Sequence, residues 1–333
     1  MSRTTIKDIA RLLQVNVSTV SRALSNHPNV LAETRQRVQE LADELGYVPN
    51  QLAANLRRRH SRLIALILAD MNMFFLPSVI LAVEEQVRQN GYQLIILQSN
   101  NDFTLEKQNL QICLQLAVEG VLMALTSQTP GIAHFSNFLA QGIPVVFFDK
   151  APPGKEQNTV TIDDEAAAYL AVRHLIERGH QRIFGLFGSK NLHMTDERLA
   201  GYHRALADAG LAMQEDWTIF AENSATARER LTALLLLEPM PAALFAMSDE
   251  LLVGAVQAVE QLGRRFPQDL AIISMSDGFA PEFYNPKITH ILHSGYKIGK
   301  AAWGLLYQRI QQPDDPHTYQ IKINCPLIEL KSV

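Results

Sequence analysis

A chain of 333 residues exceeds one ordinary domain of about 100 to 200 residues, and 47% hydrophobic with 19% charged residues describes a globular protein with large cores. Collagenous, disulfide-framework and wholly disordered readings are excluded. The net charge of −4 is split: residues 1–60 carry nine Lys/Arg against five Asp/Glu, while the remainder carries 21 against 29, a basic head on an acidic body. A nucleic-acid reader joined to a sensor or an enzyme has this layout, because phosphate neutralisation requires local positive charge.

The N-terminus, from Met1 to Asp8, lacks the apolar segment of a signal peptide. The most apolar window, 64–83, is broken by Asp70, Asn72 and Pro77, so no membrane span is expected. Cys113 and Cys325 are isolated from each other and from His pairs, which leaves neither a disulfide scaffold nor a zinc site. The expected location is cytoplasmic, with no metal and no cofactor.

Apolar residues Ile6, Ile9, Ala10 and Leu13 recur at helical spacing, with Thr4 or Thr5 as N-cap. Asn16 can cap a second helix running to about Leu24. Val38, Leu41 and Leu45 mark a third, stopped by Gly46, where a left-handed residue is wanted. Tyr47-Val48-Pro49-Asn50 breaks the pattern, Asn50 to Arg57 can form a brief fourth helix, and the basic run Arg57-Arg58-Arg59-His60 marks a linker. From Leu63 onward, apolar runs at 63–68, 93–98, 120–125, 144–148, 183–187, 243–247 and 270–275 alternate with helical patterns at about 77–90, 104–117, 132–141, 164–178, 196–210, 224–237 and 250–262. Near-continuous apolar strands alternating with helices indicate parallel sheets covered on both faces, and the length suggests two doubly wound lobes.

In such sheets ligands bind beyond the carboxyl ends of the strands. The residues there are acidic: Asp70, Asp149, Asp249 and Asp277, joined by Phe74-Phe75 in the first strand-to-helix loop and Arg198 in the segment after Gly188. Carboxylates that accept from hydroxyls, an arginine donor and an aromatic face suit a small polyol, sugar or nucleobase. Against this, strand-end aspartates commonly cap the next helix and a Phe-Phe pair is commonly core. Catalytic patterns are missing: Gly185-Leu186-Phe187-Gly188 is not a dinucleotide fingerprint, and neither a phosphate loop, a G-x-S-x-G elbow nor H-E-x-x-H occurs. His174 and His180 read as solvated or dipole-complementing helix-end residues, and no enzyme is expected.

The run Thr5-Ile6-Lys7-Asp8-Ile9-Ala10 through Val15, followed by Ser18-Thr19-Val20-Ser21-Arg22-Ala23-Leu24, resembles the lactose-repressor (LacI/GalR) family of bacterial transcription regulators. The likeness continues through Thr34-Arg35, Leu45 to Asn50, Ala53 and Leu56-Arg57. In the body it takes in 174–180 (HLIERGH), 198–202 (RLAGY) and Ser248-Asp249, which together extend it over essentially the whole chain. It implies a small all-α helix-turn-helix head on an α/β body of two doubly wound parallel-sheet lobes of periplasmic-binding-protein type. The implied boundaries are 1–47 for the head, 48–61 for a hinge helix and linker, and 62–333 for an effector-binding and dimerisation domain. Its lobes would be about 62–161 with 292–322, and about 162–291 with 323–333.

The resemblance further implies that Val17, Ser18 and Arg22 face base edges, with Arg22 suited to a guanine and Val17 to a thymine methyl. Thr5, Thr19, Ser21, Asn26 and Tyr47 would contact the phosphate side. Asn50, Ala53 and Leu56 fall on the hinge helix, with Leu56 as the minor-groove wedge. Effector contacts map onto Phe75, Asp149, Arg198, Asp249 and Asp277, with Lys150, Leu192 and Met194 as neighbours; Lys150 leaves an anionic or phosphorylated effector open. Two departures stand out: Gln14 where the turn often has glycine, and Leu31 where the third helix usually has a serine cap.

The expected function is that of a homodimeric DNA-binding repressor on a pseudo-palindromic operator in the nucleoid, its affinity controlled by a sugar or related metabolite between the lobes. Leu76, Val79, Ile80 and Val83 are the expected dimer face. The alternatives are a solute-binding protein without a DNA role, a sugar-metabolising enzyme, and an activator of the same family.

Overall fold

A computed structural model describes residues 4–47, 61–237 and 243–333. The chain divides into two compact units, Met1–Ser61 and Arg62–Val333.

The first unit contains helices α1 (Ile6–Leu13), α2 (Val17–Leu24) and α3 (Ala32–Glu44). At the start of α1 the Thr5 backbone N–H and hydroxyl both donate to Asp8 Oδ2, at 2.9 and 2.6 Å, which closes the first turn. After α1 the chain reverses at Gln14, which adopts φ 53°, the left-handed conformation that glycine enters at least cost. Leu31 precedes α3 with no side-chain cap, as its apolar chemistry dictates. Gly46 ends α3 with φ 59°. Ile9, Ala10, Val20, Ala23, Val30, Val38 and Ala42 form the small core that holds the three helices together. Asn50, Ala53 and Leu56 lie outside the described residues.

The second unit is built on two six-stranded sheets among the described residues. The first has β1 (Leu63–Leu68), β2 (Gln93–Gln98), β3 (Gly120–Met123), β4 (Val145–Phe148), β5 (Asn158–Ile162) and β11 (Gln320–Ile323), ordered β11-β5-β4-β3-β1-β2 and parallel throughout. The second has β6 (Ile183–Phe187), β7 (Thr218–Phe220), β8 (Ala243–Ala246), β9 (Ala271–Ser276), β10 (Thr289–Leu292) and β12 (Leu327–Ile328), ordered β12-β10-β9-β8-β6-β7, with only β12 antiparallel. Their helices are α4 (Leu76–Gln89), α5 (Phe103–Gln115), α6 (Ser136–Ala140), α7 (Asp164–Glu177), α8 (His193–Asp208), α9 (Ser224–Leu237), α10 (Asp249–Gln261) and α11 (Gly295–Gln311). The chain passes between the lobes three times: after β5, between β10 and α11, and between β11 and β12.

The central strands β1, β6 and β9 are buried because helices cover both faces of the sheets, which explains their largely apolar sequences. Strands β5, β7, β10, β11 and β12 were not among the expected ones; they are short, and β5 alternates polar and apolar residues. The expected helix at 132–141 is a 3₁₀ turn, Ala133–Phe135, followed by the five-residue α6.

The expected dimer face on α4 is corrected. Leu76, Val79 and Val83 are buried and Ile80 packs against the same core, so this face belongs to the monomer. Burying each such side chain is worth about 1.5–3 kcal/mol, a gain that exposure to await a partner would forfeit. The face packs on α11, where a Cβ added at Gly299 would lie 2.7 Å from Val79 O. No described helix is long and apolar enough to cross a membrane.

Candidate functional site

Strand direction places the carboxyl edges of both sheets against one cleft of about 750 Å³ in the second unit. Phe75, Asp149, Lys150, Met194, Arg198, Asp249 and Asp277 all line it, as do Asp70, Phe74 and Leu192. The same cleft is also lined by residues that the strand-end reading did not single out, among them Asn101, Ser127, Gln128, Glu250 and His293.

Arg198 on α8 is buried, and its fate is set by Asp164, the first residue of α7. Its Nε donates to Asp164 Oδ1 at 2.7 Å and its Nη1 to the Met247 carbonyl at 2.7 Å, while Nη2 is buried without a partner. Burial pushes the Asp164 carboxyl up to about 6, against the downward pull of Arg198. The guanidinium is therefore fixed in orientation and keeps one unspent donor.

Asp149 sits at the end of β4 with φ 55°, a left-handed conformation that costs about 1–2 kcal/mol for a non-glycine residue. Its carboxyl is raised by burial, opposed by Lys150 and Arg198. His293 Nε2 lies 3.5 Å from Asp149 Oδ1, and the His293 ring stacks on Phe75 with centroids 5.0 Å apart at 21°. Burial, helped by Arg198, pushes His293 down to about 3, so its imidazole is neutral. Asp249, the first residue of α10, has an unpartnered buried Oδ1, and burial pushes its carboxyl up to about 7 against the Ser276 hydrogen bond.

Two of the strand-end aspartates spend their carboxylates on the protein. Asp277 accepts from the Gly295 backbone N–H at 2.8 Å and from the Ser78 hydroxyl, tying β9 of one lobe to α11 and α4 of the other. Asp70 accepts from the Asn72 N–H at 3.0 Å in a turn. A third inter-lobe bond runs from the Phe74 N–H to Glu250 Oε1 at 2.9 Å.

Sequence reasoning missed Asp164 and His293. His293 directly follows β10, so the strand-end rule finds it once Thr289–Leu292 is recognised as a strand. Asp164 carries no comparable signal, because an aspartate opening a helix reads as a cap. Among the described residues no group of three or more His, Cys, Asp or Glu is placed to hold a metal ion.

In the first unit, Val17, Ser18 and Arg22 are solvent-exposed on α2, with Thr19 and Ser21 half-buried beside them. Val17 is 40% exposed, which removes the core-packing explanation for it. The inward face of α2 is Val20 and Ala23. Thr5 and Asn26 are exposed and Tyr47 half-buried; the Thr5 hydroxyl donates to Asp8.

Residues 5–50 match the description "Bacterial regulatory proteins, lacI family", and residues 61–331 match "Periplasmic binding proteins and sugar binding domain of LacI family". The chain is 32% identical to the ribose operon repressor of Haemophilus influenzae over 98% of each chain. It is 28% identical to the transcriptional repressor PurR of Vibrio campbellii over 93% of each. Among solved structures, a Lac repressor dimer bound to operator and an anti-inducer superposes with a TM-score of 0.88 at 22% identity, covering 99% of each chain. A complex of the regulator CelR with cellobiose gives 0.75 at 25% identity, covering 99% of this chain and all of that one.

Proposed function

The chain belongs to the LacI family of bacterial regulatory proteins, and from that premise we propose that its cleft takes an uncharged polyol, a sugar, whose binding sets operator affinity. It is a DNA-binding transcription regulator controlled by a small molecule, and it acts as a homodimer on operator DNA. The first unit supplies the reading head, with Val17, Ser18 and Arg22 addressed to base edges and Thr5, Thr19, Ser21, Asn26 and Tyr47 to phosphates. Asn50, Ala53 and Leu56, outside the described residues, are assigned to DNA contact by the family resemblance alone. Regulation rather than catalysis is its role, exercised in the cytoplasm where the operator is.

The observation that carries the ligand class is the set of unsatisfied buried groups on one cleft: Arg198 Nη2, Asp249 Oδ1 and His293 Nε2. A hydroxyl both donates and accepts, so vicinal hydroxyls satisfy all three kinds of partner at once. Charge argues against a phosphorylated ligand. Lys150 and Arg198 face Asp149, Asp249, Asp277, Glu222 and Glu250, and Arg198 is already paired with Asp164. Stacking argues against a nucleobase, since one face of the Phe75 ring is covered by His293.

Calorimetric titration of the full chain with uncharged pentoses, hexoses and disaccharides, glucose 6-phosphate and hypoxanthine tests this. Binding by an uncharged sugar is expected; binding confined to glucose 6-phosphate or hypoxanthine overturns the ligand class.

A further inference from the structure

Outside the cleft, α5 buries an ionisable group completely: the Glu106 side chain has no exposed surface. A buried carboxylate is retained only where donors surround it. Glu106 Oε2 accepts from the Thr126 N–H at 2.9 Å and from the Thr129 hydroxyl at 2.8 Å, while Oε1 pairs with His134 Nε2 at 2.8 Å. The two hydroxyls of Thr126 and Thr129 meet each other at 2.8 Å, and the Thr129 N–H donates to Thr126 O.

These bonds define a four-residue turn after β3 whose two ends rest on one carboxylate oxygen. The two residues at its apex, Ser127 and Gln128, are those that line the cleft. Ser127 is clamped from the cleft side as well. Its N–H donates to Asn101 Oδ1 at 2.8 Å, and Asn101 Nδ2 donates to its hydroxyl oxygen at 2.7 Å. Asn101 holds a left-handed φ of 55° to do so, and it too lines the cleft. The Ser127 oxygen is thus occupied as an acceptor, leaving its hydroxyl proton as a donor.

We propose that Glu106 is a positioning residue for ligand selection: it never meets the ligand, yet it fixes Ser127 and Gln128 as a polar wall that reads ligand oxygens. This rests on the cleft being the sugar site. The wall supplies neutral donors and acceptors on the first lobe, opposite Arg198 and Asp249 on the second. A ligand that spans the cleft therefore meets these amide and hydroxyl groups on the first lobe, beside Asp149 and Lys150, and Arg198 and Asp249 on the second. Glutamine can replace Glu106 without breaking the turn. Its carbonyl oxygen still accepts from Thr126 and Thr129, and its amide can donate to a neutral His134 ring nitrogen.

The test is a double-mutant cycle with the tightest-binding sugar among D-ribose, D-glucose and cellobiose, measured by calorimetry on the full chain. Ser127→Ala is expected to weaken binding at least fivefold in the wild type and less than twofold in a Glu106→Ala background, because the wall is already displaced. Glu106→Gln should keep affinity within twofold of wild type. Equal losses from Ser127→Ala in both backgrounds, or no loss in either, overturn the positioning role while leaving the sugar site intact. If Glu106→Ala does not fold, Thr129→Val removes one anchor of the turn and takes its place in the cycle. Absence of binding by all three sugars contradicts the cleft reading itself and removes the basis of the proposal.

Discussion

Two nitrogens of the Arg198 guanidinium are committed to the protein and Nη2 is held back, so that the proposed ligand contact and stability would meet in one side chain. Truncation to alanine strips Asp164 of its buried guanidinium partner, a loss of about 3–5 kcal/mol in urea unfolding. Asp164→Asn in the same background should recover much of that loss, since no charge is then stranded. If both variants unfold alike, the pair is not the source of the cost. Asp249 gives a pH signature. Its carboxyl is pushed up to about 7 by burial, so the free protein holds a proton there below that pH. Stability from this group is fully present below the ordinary carboxylate value and falls as the pH rises towards about 7. A sugar hydroxyl donating to the ionised form reverses the trend for binding. Affinity should rise between pH 6 and 8 with release of up to one proton, read by calorimetry in buffers of different ionisation enthalpy. A flat profile removes Asp249 from the contact. The aspartates at strand ends were legible because strand direction fixes where they emerge. Asp164 and Glu106 were not, because their importance lies in partners 34 and 20 residues away.

Helices α7 and α8 approach so closely that a Cβ on Gly201 would stand 2.1 Å from the Glu165 carbonyl oxygen. Gly201→Ala must push the helices apart, and the expected loss is about 1–3 kcal/mol in denaturant unfolding. No measurable loss would show that the helix pair yields freely. Gln14 offers the opposite prediction. Glycine there relieves the left-handed strain at φ 53°, for a gain of about 1 kcal/mol in the thermal stability of the head. The long buried strands β1, β6 and β9 were readable as apolar runs, whereas β7 and β12, with three and two residues, carry too few side chains to show a period. The α4 face was misjudged for a related reason. An apolar stripe on a helix announces burial, but the sequence does not say whether the cover is α11 or a second subunit.

Across the whole molecule, the chain crosses between lobes three times, and Asp277 and Glu250 add hydrogen bonds across the same cleft. A ligand that prefers one lobe arrangement can shift the population only by its differential affinity for the two. Arg22→Ala on α2 should weaken operator binding by about 1–3 kcal/mol and relax preference at one base pair per half-site, leaving sugar affinity unchanged. Regulation by a small molecule requires coupling between cleft and operator. Selection of an operator from random duplexes, followed by titration at fixed salt with and without the bound sugar, measures it directly. The predicted result is a pseudo-palindromic site whose affinity changes at least fivefold with sugar in the wild type and not at all in Arg198→Ala. A palindrome bound equally with and without every sugar that occupies the cleft would contradict it.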